Sequence, residues 1–294
     1  MKIKTEKSTY REVMARERNE RKKPVRPNIL FRSLIYILSQ PSMRKTHFSV
    51  RKKGMEKLGK KEPCLVLMNH SSFIDLKIAS TLLYPRPFNI ICEADGFVGK
   101  EWLMRQIGCI PTHKFVSETA LVKDMMYTVR TLKSSILLYP EASYSFDGTS
   151  PTPLPESLGK CIKLLKVPVV MIRTYGAFQR DPLYNLLKLR NVDVSADMEY
   201  LLSPEEIASL TSDDINSLVS SRFAFDHFQW QKENGIEVKE NFRTDGLCSV
   251  LYKCPKCGKE GVMESGGEEI WCSSCAKKWR MEEDGSLKAM DGDD

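Results

Sequence analysis

The chain has 294 residues, 41% of them hydrophobic and 28% charged, enough apolar material for one α/β domain with a small appendage, and this excludes wholesale disorder. The formal net charge of +7 is unevenly spread: residues 1–60 hold 18 Lys/Arg against 5 Asp/Glu, while the other 234 residues hold 27 basic and 33 acidic side chains. The positive charge therefore belongs to the N-terminus, where it suits an anionic surface (lipid head groups or nucleic acid) or simply a solvated helix face, since Glu6, Glu12, Glu17 and Glu20 interrupt it.

In chain order, residues 1–28 read as a polar helical stretch that ends at Pro24 and Pro27. Residues 29–40 read as an apolar helix closed by Pro41, too short to span a bilayer but long enough to lie in an interface or to pack on a core. No stretch reaches the roughly 18 apolar residues of a span, and the N-terminus lacks the apolar core and cleavage site of a secretory signal. The expectation is a cytoplasmic protein, peripheral on the inner face of the cell membrane. Nine cysteines without an export signal fit that reducing compartment. A basic connector with Gly54 and Gly59 comes next.

Residues 64–68, 88–92, 135–139 and 167–172 are short apolar runs with turn-prone flanks, which read as buried strands. Helical patterns at 73–83, 99–107, 117–133 and 156–165 alternate with them. Residues 192–201 can supply one more strand, and 204–234 read as one or two helices. The pattern predicts an α/β fold, a mixed, mostly parallel sheet flanked by helices with N-terminal helices, and the paired Cys-x-x-Cys knuckles at Cys254/Cys257 and Cys272/Cys275 add a small C-terminal zinc ribbon. Three units are expected: a basic helical membrane-surface segment over 1–60, the α/β domain over 61–245, and the ribbon with an acidic tail over 246–294.

Two of three polar turns follow apolar runs. The first, Asn69-His70-Ser71-Ser72, precedes a helix that carries Asp75. His70 and Asp75 are too far apart in sequence to face each other on one regular helix, but they can meet if His70 lies in the turn and Asp75 in the first helical turn. The carboxylate would then fix one imidazole nitrogen and leave the other as a general base. The second is Gly108 to Lys114, a bend with a cation. The third runs from Tyr139 to Ser145, with Glu141 and Ser143 at a strand exit. In open α/β sheets, ligand sites gather beyond the carboxyl ends of strands. Taken singly, each turn is equally an ordinary surface turn.

Together these turns resemble the glycerolipid acyltransferases typified by 1-acyl-sn-glycerol-3-phosphate acyltransferase. His70 and Asp75 fall on that family's His-x4-Asp block, directly after Asn69. Gly108, Pro111 and Lys114 fall on its Gly-x-x-Pro-x-x-Arg block, with Lys in place of Arg. Tyr139, Pro140, Glu141 and Ser145 fall on its Phe-Pro-Glu-Gly-Thr-Arg-Ser block, and Val167-Pro168-Val169 on its apolar block with proline.

The resemblance implies transfer of a fatty acyl group from acyl-CoA or acyl carrier protein to a lysolipid hydroxyl, above all that of 1-acyl-sn-glycerol-3-phosphate, without a catalytic cofactor. His70 would be the base and Asp75 its orienting partner. Lys114, Glu141, Ser143, Gly108 and Asn69 would serve the acceptor. Ala142, Ser143 and Tyr144 stand where the family keeps Gly, Thr and Arg. Either Lys114 with Arg105 or Arg173 holds an acceptor phosphate, or the acceptor is a different lysolipid or another hydroxyl compound. With its third block altered, the chain could also be an inactive relative that acts as a scaffold.

Cys254-x-x-Cys257 and Cys272-x-x-Cys275, separated by 14 residues, match two zinc knuckles closing on one structural ion. Cys64, Cys92, Cys109 and Cys161 read as packing residues, and His47 and His227 as surface or satisfied histidines. A ribbon with a basic N-terminus also fits nucleic-acid binding, but acidic residues outnumber basic ones over 251–294, so nucleic acid is not the expected partner.

Overall fold

Unbroken apolar runs form the middle of the central sheet, because a strand covered by helices on both faces has no polar side. The computed structural model describes residues 6–15, 22–113, 118–150 and 154–292. In chain order, α1 (Tyr10–Ala15) and α2 (Ile29–Lys45) precede β1 (Ser49–Lys53), β2 (Leu65–Met68), α3 (Asp75–Leu83), β3 (Phe88–Glu93), α4 (Glu101–Gln106), β4 (Cys109–Thr112), α5 (Thr119–Arg130) and β5 (Ser135–Leu138). Then follow β6 (Thr149–Ser150), α6 (Leu158–Leu165), β7 (Val169–Tyr175), α7 (Ala177–Arg180), β8 (Ser195–Leu202), α8 (Pro204–Ser209), α9 (Ser212–Phe223), β9 (Phe225–Asp226) and α10 (His227–Glu233). The C-terminal strands are β10 (Met263–Gly266), β11 (Glu269–Cys272), β12 (Lys278–Met281) and β13 (Leu287–Ala289).

Seven strands form one sheet in the order β1-β8-β7-β2-β5-β3-β4. The pairs β7–β2, β2–β5, β5–β3 and β3–β4 are parallel, β8 runs antiparallel to β7, and β1 runs parallel to β8. The fold is therefore the expected mixed, mostly parallel sheet flanked by helices. Every residue of β2 is fully buried. On one face Val66 and Met68 pack with Ile78, Ala79 and Leu83 of α3. On the other, Leu65 and Leu67 pack with α6 and α9 through Leu158, Ile162, Leu165 and Val219.

Four local expectations differ from the structure. Pro41 does not close α2, which runs on to Lys45. The lost amide bond falls beside exposed Ile37, where water can serve its carbonyl. Beyond the proline, Met43 is buried in the core and Lys77 Nζ donates to Ser42 Oγ at 2.7 Å, so tertiary packing carries the helix past it. The basic connector contains β1, an edge strand exposed along its length and tied to β8 by the Arg51–Asp197 and Lys53–Glu199 ion pairs. The sheet thus begins inside the stretch expected to be an N-terminal segment. The bend after Gly108 is strand β4, and residues 204–233 form three helices, α8 to α10.

Gly108 lies just before β4, whereas the turn with His70 lies just after β2. Because these strands share a direction, Gly108 is at the opposite end of the sheet from His70. Its φ is +90°, and a Cβ there would lie 2.4 Å from Pro27 Cγ and 3.2 Å from the Phe88 carbonyl oxygen. Gly108 thus lets the N-terminal segment close against the sheet. Gly108→Ala is expected to lower stability by about 2 kcal/mol in urea unfolding and to leave the affinity for any acceptor unchanged.

Candidate functional site

The chain leaves β2 through α3 toward β3, and leaves β5 through α6 toward β7, on the opposite side of the sheet. Departures in opposite directions from neighbouring strands open a crevice at their carboxyl ends, the usual ligand position in such sheets. The residues after β2 (Asn69 to Ser72) and after β5 (Tyr139 to Ser145) meet there.

Asp75, the first residue of α3, is 1% exposed. Its Oδ2 accepts from His70 Nδ1 at 3.0 Å, from the Ser71 amide at 2.7 Å and from the Ser72 amide at 3.0 Å. A helix N-terminus suits a carboxylate, and the amides hold this one in place. With Nδ1–H committed to Asp75, the lone pair of His70 lies on Nε2. The ring is sandwiched between Tyr139 at 4.0 Å and Tyr144 at 3.9 Å between centroids, with Phe73 edge-on to Tyr144 at 5.5 Å. Both faces are covered, so a reactant reaches the imidazole by its edge.

The second turn holds the first. The His70 amide donates to Glu141 Oε2 at 3.3 Å, and the His70 carbonyl accepts from the Ser145 amide at 2.7 Å. Glu141 Oε1 accepts from Ser150 Oγ at 2.5 Å. Asn69 Oδ1 accepts from the Thr174 amide at 2.8 Å and its Nδ2 donates to Ser71 Oγ at 2.9 Å, which fastens the end of β2 to β7. Ser143 is exposed beside Ala142, whose φ of +57° is the left-handed conformation that favours glycine.

Lys114 lies outside the described residues. Arg105 donates to the Lys22 and Lys23 carbonyls, away from the crevice. Arg173 lies on β7 against the Phe225 ring, at 5.7 Å, and lines an open groove of about 360 Å³ with Arg51, Lys53 and Arg222.

Residues 49–174 match the family model described as Acyltransferase. No curated protein sequence matches the chain. Among solved structures, similarity is found to the crystal structure of the 1-acyl-sn-glycerophosphate (LPA) acyltransferase PlsC from Thermotoga maritima, at 16% identity and a TM-score of 0.49, over 65% of this chain and 77% of that one. The matched stretch runs from β1 to Thr174 and contains both turns of the crevice.

Beyond this stretch, the structure adds Asp181, which had no signal in the sequence. Asp181 follows α7 and pairs with Arg180 at 3.0 Å; burial raises its carboxyl pKa despite that guanidinium and a hydrogen bond from Ser72. Burial also raises the Tyr139 and Tyr144 phenols, with Asp75 adding to the effect, so both stay protonated. His47 is exposed and pairs with Asp193 at 2.8 Å. His227 is fully buried, with Nε2 3.4 Å from Ser71 Oγ, and is not a surface histidine.

At the C-terminus, β10 to β13 form a four-stranded antiparallel sheet. The Sγ atoms of Cys254, Cys257, Cys272 and Cys275 all lie within 4.8 Å of one another, with Cys254–Cys275 at 3.7 Å and Cys257–Cys272 at 3.8 Å. A zinc–sulfur bond of about 2.3 Å sets tetrahedral sulfur separations of about 3.8 Å. The donor set therefore fits one zinc ion.

Proposed function

We propose that the protein is an O-acyltransferase that moves a fatty acyl group from acyl-CoA or acyl carrier protein to a lysolipid hydroxyl, with 1-acyl-sn-glycerol-3-phosphate as the first acceptor to test. The observation that carries the reading is the His70 Nδ1–Asp75 Oδ2 contact, within a stretch that matches an acyltransferase family model. In this role His70 Nε2 takes the acceptor hydroxyl proton as the oxygen attacks the thioester carbonyl. The new C–O bond forms, the C–S bond breaks, and the imidazolium returns the proton to the leaving thiolate. Glu141, Asn69 and Ser143 act by shaping the crevice, and Lys114 acts as a point charge for an acceptor phosphate.

A second reading, a different lysolipid acceptor, is favoured by Tyr144, whose ring lies on His70 where the related family keeps an arginine. The site is read as working at an anionic membrane surface. No helix among the described residues is long and apolar enough to cross a membrane. Leu30, Leu34, Ile37 and Leu38 are exposed along α2, and Phe31 meets exposed Trp102 of α4 edge-on at 5.8 Å. Apolar side chains beside the exposed Arg26, Arg44 and Lys45 suit an interface between head groups and acyl chains. The four C-terminal cysteines are read as ligands of one structural zinc; a site closed by four thiolates leaves no position for substrate.

His70→Ala is expected to lower acyl transfer by at least about a thousandfold in a radiolabelled acyl-CoA assay with a lysolipid panel, at unchanged thermal midpoint. Turnover at the wild-type rate would refute the mechanism, and clear preference for an acceptor other than 1-acyl-sn-glycerol-3-phosphate would establish the second reading. The protein should float with anionic liposomes and should cease to do so when Leu34, Ile37 and Leu38 are changed to Ser. Metal analysis should find about one zinc per chain, and a strong chelator should lower the thermal midpoint; a metal-free chain of full stability would remove the zinc.

A further inference from the structure

We propose that His227 is a positioning residue that holds the His70–Asp75 turn in register through Ser71. Its catalytic consequence rests on the reading of His70 as the base, but its structural consequence does not.

His227 opens α10 and is separated from Ser71 by 156 positions in the chain. Its backbone is held on both sides: the amide donates to the Gly148 carbonyl at 2.8 Å, and the carbonyl accepts from Gln179 Nε2 at 2.5 Å. Its ring is fully buried, stacked on Phe178 at 5.1 Å and edge-on to Phe225 at 4.8 Å. Among the described residues Nδ1 has no hydrogen-bond partner, and Nε2 faces Ser71 Oγ at 3.4 Å. Packing alone would be better served by phenylalanine in such surroundings, because a buried nitrogen without a partner is a net cost. What distinguishes histidine here is Nε2.

The orientation of Asn69 is fixed from the far side. The Thr174 amide donates to Asn69 Oδ1, which turns Asn69 Nδ2 toward Ser71 Oγ. Ser71 Oγ accepts that bond and makes its remaining hydrogen bond with His227 Nε2 at 3.4 Å. The imidazole is neutral, since burial first and Arg173 second push its pKa down to about 3, so one ring nitrogen carries a proton and the other a lone pair. The amide of the same Ser71 donates to Asp75 Oδ2. A buried chain of hydrogen bonds therefore runs from β7 through Asn69 and Ser71 to α10, with the Asp75 carboxylate attached at Ser71.

His227→Phe keeps the ring and its stacking but removes both nitrogens, while His227→Gln returns a polar group near Nε2. Two readouts apply to the full chain. One is the ring-nitrogen NMR signal of His70, assigned by its loss in His70→Ala. The other is kcat and KM with palmitoyl-CoA and whichever lysolipid the wild type acylates. In His227→Phe the His70 Nδ1–H signal should broaden or shift and kcat should fall about ten- to hundredfold, with KM and thermal midpoint unchanged. His227→Gln should restore both, Ser71→Ala should behave like His227→Phe, and the double variant should fall no further than either. The proposal is overturned if His227→Phe keeps the wild-type signal and kcat, if Gln is no better than Phe, or if the two changes add. Should His227→Phe fail to fold, an unchanged His70 signal in Ser71→Ala overturns it. Should the wild type acylate no lysolipid, the function proposed above fails on that result, and the NMR arm still decides this one.

Discussion

One carboxylate oxygen organises the centre of this protein. Asp75 Oδ2 gathers the His70 ring and the amides of Ser71 and Ser72 at the start of α3, with the carboxylate almost wholly out of water. A buried charge is tolerable only when hydrogen bonds replace its hydration, and charge-assisted bonds are the strong ones. The bonds that make Asp75 tolerable also fix the turn and the tautomer of His70. Fold stability and site geometry thus rest on the same atoms. The second oxygen, Oδ1, is buried with no hydrogen-bond partner among the described residues, where Oδ2 is the anchor.

The surroundings follow from sheet topology. The crossing of connections between β2 and β5 brings two turns together, and the second grips His70 by both its amide and its carbonyl. Tyr139 and Tyr144 close over the two faces of the ring. Glu141 has one oxygen on the His70 amide and the other on Ser150, so it links the two turns to each other.

The C-terminal sheet is not an independent bead on a tether. Cys254, Cys272, Met263, Ile270 and Met281 share one apolar core with Phe178 and Tyr184, which lie just after β7. Arg243 donates to the Met281 carbonyl at 2.7 Å, and Gln231 of α10 donates to the Glu283 carbonyl at 3.0 Å. The wall that carries His227 is thereby continuous with the cysteine module.

The sequence by itself determined the alternation of the inner strands with helices, the mostly parallel sheet, the pairing of His70 with Asp75 and the gathering of four cysteines. Each depends on local signals: unbroken apolar runs for buried strands, residue spacing across one turn, and paired knuckles. Only the tertiary structure decided the rest. Pro41 lies within a helix because packing against α3 outweighs one lost amide bond. The exposed, basic β1 carries no hydrophobic pattern, and its place is set by pairing with β8. Gly108 belongs to packing because its strand points the other way. His227 showed no pattern in the chain, since its partner Ser71 meets it only once β7, α7 and α10 have closed around the crevice. Contacts between distant segments leave no periodicity to read, and the groups that complete the site are of that kind.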